Sequence, residues 1–218
     1  MPSCSSRRRS GASRFSDPPP RIDERFPTVA IDYNKLEELL RNKLGEFFGD
    51  KILSIQQTHG ELVLCVDREV IVAVCTRLRD DADFKFDFCS YVTAIDWSAL
   101  GRTPRFEVVY QLYSLTHKHA LRVKAGVPEQ DATIDTVEGV WQGANWMERE
   151  TFDMFGILFR NHTDLRRILM PEDWEGYPLR KDFPLGGVKS FYFKRSTDPR
   201  AGEPKNLVPR LREQLSDV

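Results

Sequence analysis

The feature of this 218-residue chain that most constrains its fold is a period-two alternation of apolar and polar side chains between residues 105 and 125. Residues 105–115 would place four large side chains on one face of a strand: Phe106, Val108, Tyr110 and Leu112. Residues 121–125 alternate in the same way, with three side chains facing inward: Leu121, Val123 and Ala125. Because successive side chains of a strand point to opposite faces, this alternation predicts two strands with a buried face.

Apolar residues at helical spacing occur in three other segments. Residues 34–48 predict a helix that begins with a capping box, because Glu37 follows Asn34 by three positions. Residues 70–78 fit a second helix, but their β-branched side chains also fit a buried strand. A third, mostly helical segment is predicted over residues 135–156, with one interruption.

Shorter extended segments complete the predicted architecture. Residues 52–58 and 61–66 predict a hairpin that turns at His59-Gly60, and residues 86–97 predict a further strand. Helices combined with mainly antiparallel strands predict an α+β fold, a two-layer sandwich with the helices on one face of the sheet.

The composition divides the chain into three parts. Residues 1–30 are rich in Arg, Ser and Pro and poor in apolar side chains, which favours a disordered N-terminal arm. Residues 31–155 contain the predicted α+β body. Residues 156–218 form an irregular, extended region for partner docking, with a short docked helix predicted around residues 208–215.

Charge, hydropathy and cysteine usage exclude several classes of function. The formal net charge of −1 offers no positive field for nucleic acid. No apolar run reaches the roughly 18–20 residues that span a bilayer, so any membrane association is expected to be indirect. The four cysteines contain no C-x-x-C pair, and we expect buried, reduced thiols rather than metal ligands.

The stretch between Glu148 and Leu185 mixes charged and aromatic residues with little of the repetition of an amphipathic helix. Its most distinctive residues are Glu148-Arg149-Glu150, Asp153-Met154-Phe155, His162, Asp164, Arg166, Ile168-Leu169, Pro171–Gly176 and Tyr177–Leu185. In this order and spacing, the stretch resembles the signature of the 30-kDa-type subunit of respiratory NADH:quinone oxidoreductase, complex I. We call residues 148–185 the signature segment.

The resemblance implies a cofactor-free structural subunit in the peripheral arm of that complex. The complex transfers electrons from NADH through FMN and iron–sulfur clusters to quinone, and couples the transfer to proton translocation. In agreement, the sequence contains neither a G-x-G-x-x-G motif nor a cysteine set for a cluster. The chain itself is therefore predicted to hold no catalytic, cofactor-binding or metal-binding residue.

The resemblance also implies a partner and a location. Among the other peripheral-arm subunits of complex I, the main partner would be the neighbour that helps to form the quinone pocket beside the terminal iron–sulfur cluster. We call this neighbour the quinone-site subunit. The expected location is the cytoplasmic face of a bacterial inner membrane, with the mitochondrial matrix face as the alternative. The bacterial location is favoured because residues 1–30 have almost no apolar side chains to form the amphipathic face of a transit peptide. Membrane-bound hydrogenases and oxidoreductases with other electron donors carry similar signatures, so the donor stays open.

Charged residues of the signature segment suggest two local contacts. On a helix over residues 145–155, Arg149 and Asp153 are four positions apart and are predicted to pair along its surface. Glu148 shares a face with two aromatic side chains, so its carboxylate would need a cationic partner if buried. The candidates for that partner are Arg166, Arg167 and Arg180.

Large side chains of the signature segment are of the types that favour interfaces. The predicted apolar anchors are Trp174, Tyr177 and Phe183. The predicted charged contacts are Arg166, Arg180, Lys181 and Asp182. The alternative is that these residues complete the core of this chain, and the sequence leaves both hypotheses open.

Carboxylates near a histidine allow a hypothesis of another class, a free-standing hydrolase that uses Glu148, Glu150 and His162. The chain contains no nucleophile motif, phosphate loop or cofactor lysine to accompany them. Ordering of a loop is the more natural role for His162 with Asp164.

Overall fold

The computed structural model describes residues 33–184, and these form three α-helices, seven β-strands and short 3₁₀ turns. The helices are α1 (Tyr33–Phe48), α2 (Ile71–Asp80) and α3 (Ala144–Phe155). The strands are β1 (Ile52–Thr58), β2 (Glu61–Val66), β3 (Phe88–Asp96), β4 (Phe106–Tyr113), β5 (Ala120–Val127), β6 (Thr133–Asp135) and β7 (Leu158–Arg160). The predicted N-terminal arm and the helix predicted around residues 208–215 lie outside the described residues.

Five strands form the main sheet in the order β1-β2-β5-β4-β3. Neighbouring strands are antiparallel except β2 and β5, which pair in parallel at the centre, from Val63 opposite Arg122 to Val66 opposite Ala125. The short strands β6 and β7 form a separate parallel pair. Three helices and a mainly antiparallel sheet confirm the predicted α+β fold.

One apolar cluster joins the helices to the sheet and forms the core. All seven side chains that the alternation places inward have no exposed surface: Phe106, Val108, Tyr110, Leu112, Leu121, Val123 and Ala125. From the helices, α1 adds Leu36, Leu40 and Leu44, which recur every four residues along its buried side. The core therefore lies between the helices and one face of the sheet, as a two-layer sandwich requires.

The first half of the fold follows its local sequence closely. The strands β1 and β2 have the predicted bounds, and their turn has positive φ at both His59 (53°) and Gly60 (79°), the backbone that two-residue hairpins favour. The segment over residues 70–78 is a helix, which decides between the two alternatives. The predicted cap is wrong, because α1 begins at Tyr33 and Asn34 lies inside it.

The prediction of a mostly helical segment over residues 135–156 is wrong for residues 135–143. Asp135 ends β6, and residues 136–143 form turns before α3 begins. The reason is that the N–H groups of this stretch bond elsewhere: Thr136 donates to the Arg160 carbonyl, and Val137 donates to the Glu148 carboxylate. Tertiary contacts thus replace the helical hydrogen bonds that the apolar spacing suggested.

The described cysteines are free thiols, as expected for reduced residues. Cys75 and Cys89 are buried and Cys65 is partly buried, whereas Cys4 lies outside the described residues. Burial raises the pKa of Cys75 well above its ordinary value and that of Cys89 to about 12, so both remain protonated.

Candidate functional site

The first buried carboxylate of the signature segment is Glu148, just beyond the first turn of α3. Its side chain has no exposed surface and accepts hydrogen bonds from the Thr136 hydroxyl and from the Val137 N–H at 2.8 Å. Burial raises the pKa of Glu148 to about 7, and the two hydrogen bonds only partly oppose that rise. No Arg or Lys ion pair to it is present within residues 33–184, so the predicted cationic partner is wrong.

The nearest basic group to Glu148 is a histidine. His162 Nε2 lies 4.0 Å from Glu148 Oε2, and both side chains are fully buried. His162 Nδ1 accepts the Asp164 N–H at 3.0 Å, so the proton is on Nε2, which faces the Asn145 carbonyl at 3.2 Å. These bonds order the loop after β7, as predicted for His162 and Asp164.

The second buried carboxylate is Asp153, five residues further along α3. One of its oxygens pairs with Arg167 Nη1 at 2.7 Å, and the other accepts the N–H groups of Ile168, Leu169 and Met170 at 2.8–3.1 Å. Burial alone would raise the pKa of Asp153, but these N–H groups and the guanidinium hold it below its ordinary value. Asp153 therefore fixes the backbone of residues 168–170 on α3.

Asp153 is not paired with Arg149, so the predicted surface ion pair is wrong. Arg149 is itself buried and donates from Nε to the Arg166 carbonyl at 3.2 Å and from Nη2 to the Arg167 carbonyl at 3.4 Å. Its guanidinium also lies 4.8 Å from the Trp146 ring centroid. The two residues thus hold the same loop through different groups, instead of neutralising each other.

A stack of rings and guanidinium groups closes the C-terminal end of α3. Arg180 donates to the Phe155 carbonyl at 2.5 Å, and its guanidinium lies between the rings of Tyr177 and Phe106, at 4.4 and 5.0 Å from their centroids. Gly156 has φ of 73°, and a Cβ on it would lie 2.5 Å from the Tyr177 ring. Only glycine fits this position without displacing the stack.

The end of the described chain is tied to the sheet. The Lys181 N–H donates to Asp96 at 2.9 Å, and Asp182 pairs with Arg105 at 2.9 Å. Arg105 also pairs with Asp96, which is buried at the end of β3. Burial opposes the charge on Asp96, but the bonds from Arg105, Lys181 and Ser98 outweigh it and lower its pKa.

The predicted site residues divide into a larger buried group and a smaller exposed group. Buried or partly buried inside the chain are Glu148, Arg149, Asp153, Phe155, His162, Trp174, Tyr177, Arg180 and Phe183. Exposed to solvent are Glu150, Asp164, Arg166, Lys181 and Asp182. Trp174 and Phe183 stack on each other with ring centroids 6.3 Å apart. Most of the signature segment thus packs on α3 of the same chain.

Sequence reasoning missed several residues that position the signature segment. They are Asp96, Arg105, Thr136, Glu138 and Trp146. Asp96, Arg105, Thr136 and Glu138 lie before the segment in the chain, and no local periodicity connects them with it. Trp146 is 61% exposed, and this exposure is visible only in the structure.

Four large apolar side chains between residues 146 and 184 face solvent: Trp146, Leu158 on β7, Leu169 at 59% exposure and Leu179 at 50%. Leu169 belongs to the loop that Asp153 and Arg149 hold. The Leu179 N–H bonds to the Met154 carbonyl, so this residue also lies against α3. We call Trp146, Leu169 and Leu179 the outward apolar set.

The described residues contain no group of three or more His, Cys, Asp or Glu side chains placed to hold a metal ion. His117 and His119 stack with ring centroids 5.4 Å apart, and each faces a carbonyl of the loop before β3, of Ala82 and Phe84 respectively. The loop contacts account for both rings.

Comparison with known proteins identifies the family. A family model described as "Respiratory-chain NADH dehydrogenase, 30 Kd subunit" matches residues 64–189. The chain belongs to this family. The corresponding NADH-quinone oxidoreductase subunit from Geobacter metallireducens is 51% identical over 146 residues, which cover 66% of this chain and 88% of the relative. The corresponding subunit from Roseiflexus sp. is 48% identical over 158 residues, which cover 72% and 87%.

Two solved structures share the fold. The trypsin-resistant fragment of Nqo5 matches with a TM-score of 0.52 and 29% identity, and the match covers 60% of this chain and 99% of the fragment. One polypeptide of an archaeal membrane-bound sulfane sulfur reductase shares the fold, with a TM-score of 0.59 and 23% identity; the match covers 80% of this chain and 99% of that polypeptide. No helix within residues 33–184 is long and apolar enough to cross a bilayer.

Proposed function

We propose that the chain is a cofactor-free structural subunit of the peripheral arm of NADH-quinone oxidoreductase. The observation that carries the proposal is the use of the signature segment. Its buried charges bind backbone groups and each other, and Leu169 and Leu179 present apolar side chains to solvent. A segment organised in this way builds a rigid contact surface, because its buried charged groups are already bound within the chain.

The partner in this proposal is the quinone-site subunit. Exposed Trp and Leu side chains, with Trp146 on α3 and Leu169 in the loop bound to it, are suited to a protein interface. Arg166, three residues before Leu169, adds an exposed charge. In the assembled enzyme, electrons would pass from NADH through FMN and iron–sulfur clusters to quinone, coupled to proton translocation. Those cofactors would belong to other subunits.

The proposed location is the cytoplasmic face of a bacterial inner membrane, reached through partner subunits. A related oxidoreductase with another electron donor is the second candidate, since one polypeptide of the sulfane sulfur reductase shares this fold. The relatives at about 50% identity are named as subunits of NADH-quinone oxidoreductase, which favours NADH as the donor.

The hydrolase hypothesis has a physical argument against it. The side chains of Glu148 and His162 are fully buried, and the hydrogen-bonding groups of both are occupied by the loops around them. A substrate would need contact with at least one of these groups. We therefore assign them a structural role.

A charge-insertion experiment tests the proposed surface. Leu169→Asp should reduce the amount of the quinone-site subunit that co-purifies with the tagged full-length chain from native membranes, because it places an unpaired carboxylate in a desolvated contact. Leu115→Asp is the matched control, since Leu115 is 62% exposed and lies in the β4–β5 connection outside the signature segment. Circular dichroism checks that both variants fold.

The outcomes separate the parts of the proposal. Loss of the quinone-site subunit with Leu169→Asp, but not with Leu115→Asp, supports the surface. If equal amounts of the quinone-site subunit co-purified with both variants, the outward apolar set would not be part of the interface. A stoichiometric flavin or iron signal in the chain purified alone would contradict the cofactor-free role.

A further inference from the structure

The strand β1 forms one edge of the main sheet, next to β2. Thr58 and Glu61 flank the two-residue turn and form the closing, hydrogen-bonded pair of the hairpin. Hydrogen-bonded and non-hydrogen-bonded pairs alternate along antiparallel strands, so the N–H and C=O groups of Ile55 and Gln57 face away from β2. Among residues 33–184, no partner is present for these outward backbone groups. The outer edge of β1 is therefore open.

The opposite edge of the main sheet, at β3, is covered. The Trp97 N–H bonds to the Arg105 carbonyl beyond β3, and alternation from this pair places the Val92 carbonyl on the outer side of the strand. Thr151 on α3 donates to that carbonyl at 3.3 Å. Val92 and Ala94 are both buried, because α3 packs along β3. The helix thus occupies the edge that β3 would otherwise present.

The two-stranded sheet also leaves little edge for pairing. Arg68 Nη1 donates to the carbonyls of Asp131 and Thr133, at 2.7 and 3.0 Å, and so binds the backbone of β6 and of the turn before it. The strand β7 is only three residues long. Proteins cover or shorten their edge strands because an open edge pairs with other chains. Within residues 33–184, β1 is the long edge that has no such cover.

The composition of β1 favours an uncharged partner. Its sequence, Ile-Leu-Ser-Ile-Gln-Gln-Thr, contains neither the charged residues nor the proline that commonly block an edge. The charges at its two ends are already paired: Lys51 with Asp67 and Glu69, and Glu61 with Arg122. A charged segment buried beside β1 would therefore bring a charge without a counter-charge. Electrostatic complementarity selects a neutral occupant.

A cleft beside the start of β1 adds a place for a large side chain. Leu53 is 64% exposed and forms one wall of a cleft of about 220 Å³, which Cys65, Trp97 and Pro104 also line. An apolar side chain on a strand next to β1 would pack on Leu53 at the mouth of this cleft. In recognition by strand addition, the main chain supplies affinity and such side-chain sites supply specificity.

We infer that β1 accepts an extended, uncharged segment of another subunit as a sixth strand of the main sheet, with a large apolar side chain beside Leu53. A second copy of this chain is a poorer occupant. Self-pairing through residues 54–58 alone would bury far less than the roughly 1,200–2,000 Å² of a stable association. A segment of a subunit that is held elsewhere needs less area, because attachment raises its local concentration. The inference does not use the outward apolar set, so it stands if the interface proposed there is wrong.

Amide hydrogen exchange, resolved by residue through electron-transfer fragmentation, tests the added strand. The full-length chain alone is compared with the same chain purified from native membranes. In the chain alone, the amides of Ile55 and Gln57 should exchange rapidly, whereas those of Gln56 and Thr58, which bond to β2, should be protected. In the membrane-purified chain, exchange at Ile55 and Gln57 should slow by roughly tenfold or more, with little change at Gln56 and Thr58.

A proline substitution at the outer edge tests the same contact by mutation. Gln57→Pro removes an N–H that faces away from β2, and proline is tolerated on edge strands at such positions. The matched control is Gln57→Ala, which removes the same side chain and keeps the N–H. Recovery of partner subunits from native membranes should fall about fivefold with the proline variant and stay near wild type with the alanine variant. Circular dichroism checks that both variants fold.

The outcomes identify the occupant. Rapid exchange at Ile55 and Gln57 in the membrane-purified chain would overturn the inference, as would equal recovery of partner subunits with the two variants. Protection of these amides already in the chain alone would also overturn it. A monomer on size exclusion would then assign the added strand to this chain itself, and a dimer would assign it to a second copy. If Gln57→Pro does not fold, the exchange comparison decides.

Discussion

Glu148 and Asp153 lie on the same helix and both are fully buried, but Glu148 binds the turn before the helix at residues 136–137 and Asp153 binds the loop at residues 168–170. The pKa values of the two carboxyl groups are shifted in opposite directions. Asp153 has a guanidinium and three N–H groups, and its pKa is lowered. Glu148 has a hydroxyl and one N–H, and its pKa is raised to about 7. Burial acts on both, so the Arg167 guanidinium and the larger number of N–H donors keep Asp153 ionised.

The stabilisation that each carboxylate contributes therefore depends on pH in the opposite direction. The contact of Asp153 is permanent above acidic pH: its stabilisation is present above the ordinary pKa and is lost as pH falls through the lowered one. The contact of Glu148 is strongest below its ordinary pKa of 4.5 and weakens as pH rises to about 7. One helix thus carries a fixed attachment and an adjustable one.

The largest effect is expected from Asp153→Ala. The substitution leaves Arg167 without its counter-ion and three backbone N–H groups without an acceptor, which should lower the free energy of unfolding by about 3–5 kcal/mol. Urea unfolding at pH 7 measures the change. Asp153→Asn is the control, because it keeps one oxygen acceptor without the charge and should have an intermediate effect. If the alanine variant lost less than about 1 kcal/mol of unfolding free energy, Asp153 would not be the fixed attachment described above.

The next effect is a gain in stability, from Glu148→Gln at pH 8. The raised folded-state pKa means that wild-type stability falls as pH rises from about 4.5 to 7, by on the order of 3 kcal/mol. Gln cannot ionise, so the variant should exceed the wild type at pH 8 and lose this advantage near pH 5. Glu150→Gln, at an exposed neighbour, should leave the unfolding curve unchanged at both pH values. Greater stability of wild type at pH 8 would contradict this account.

A smaller loss is expected from Gly156→Ala, which tests the stack at the end of α3. A φ of 73° and the close approach of Tyr177 and Arg180 should cost about 1–3 kcal/mol. Thermal unfolding is the measurement. For comparison, Gly139→Ala adds a methyl group where no atom lies within 4 Å, and it should change stability by less than about 0.5 kcal/mol. Similar melting of the two variants would show that the stack can move aside.

The smallest effect on stability is expected from Trp146→Ala. The side chain is 61% exposed and its main contact is the guanidinium of Arg149, so the loss should stay near or below about 1 kcal/mol. Recovery of the quinone-site subunit should nevertheless fall if this tryptophan contributes to the proposed interface. Normal recovery with unchanged stability would confine the interface to Leu169, Leu179 and their neighbours.

Local patterns predicted the body of the fold because its strands and helices bury one face each. The alternation around Tyr110 and the spacing of Leu36, Leu40 and Leu44 are sufficient signs of such faces. The same logic failed for Arg149 and Asp153. Four-residue spacing only makes a surface pair possible, and it gives no information about a loop that covers the helix.

The partners of the buried charges could not be found by inspection of the signature segment. Arg167 was one of three candidates for Glu148, and it binds Asp153 instead. Thr136 and Val137 bind Glu148 from a stretch that apolar spacing assigned to a helix. Such contacts depend on how the chain folds back on itself, and this is a property of tertiary structure that periodicity does not encode.

The parallel pairing of β2 with β5 at the centre of the sheet affects how the chain reaches its fold. The hairpin β1–β2 and the meander β3–β4–β5 can each form from neighbouring residues, but joining them closes a loop of more than fifty residues between Val66 and Arg122. Closing a long loop lowers the entropy of the chain before the long-range contacts can form, and this slows folding. Pulse-labelling during refolding should therefore find the amides of β3–β5 protected before β2 docks, so that the apolar inner face of each half is briefly exposed to water.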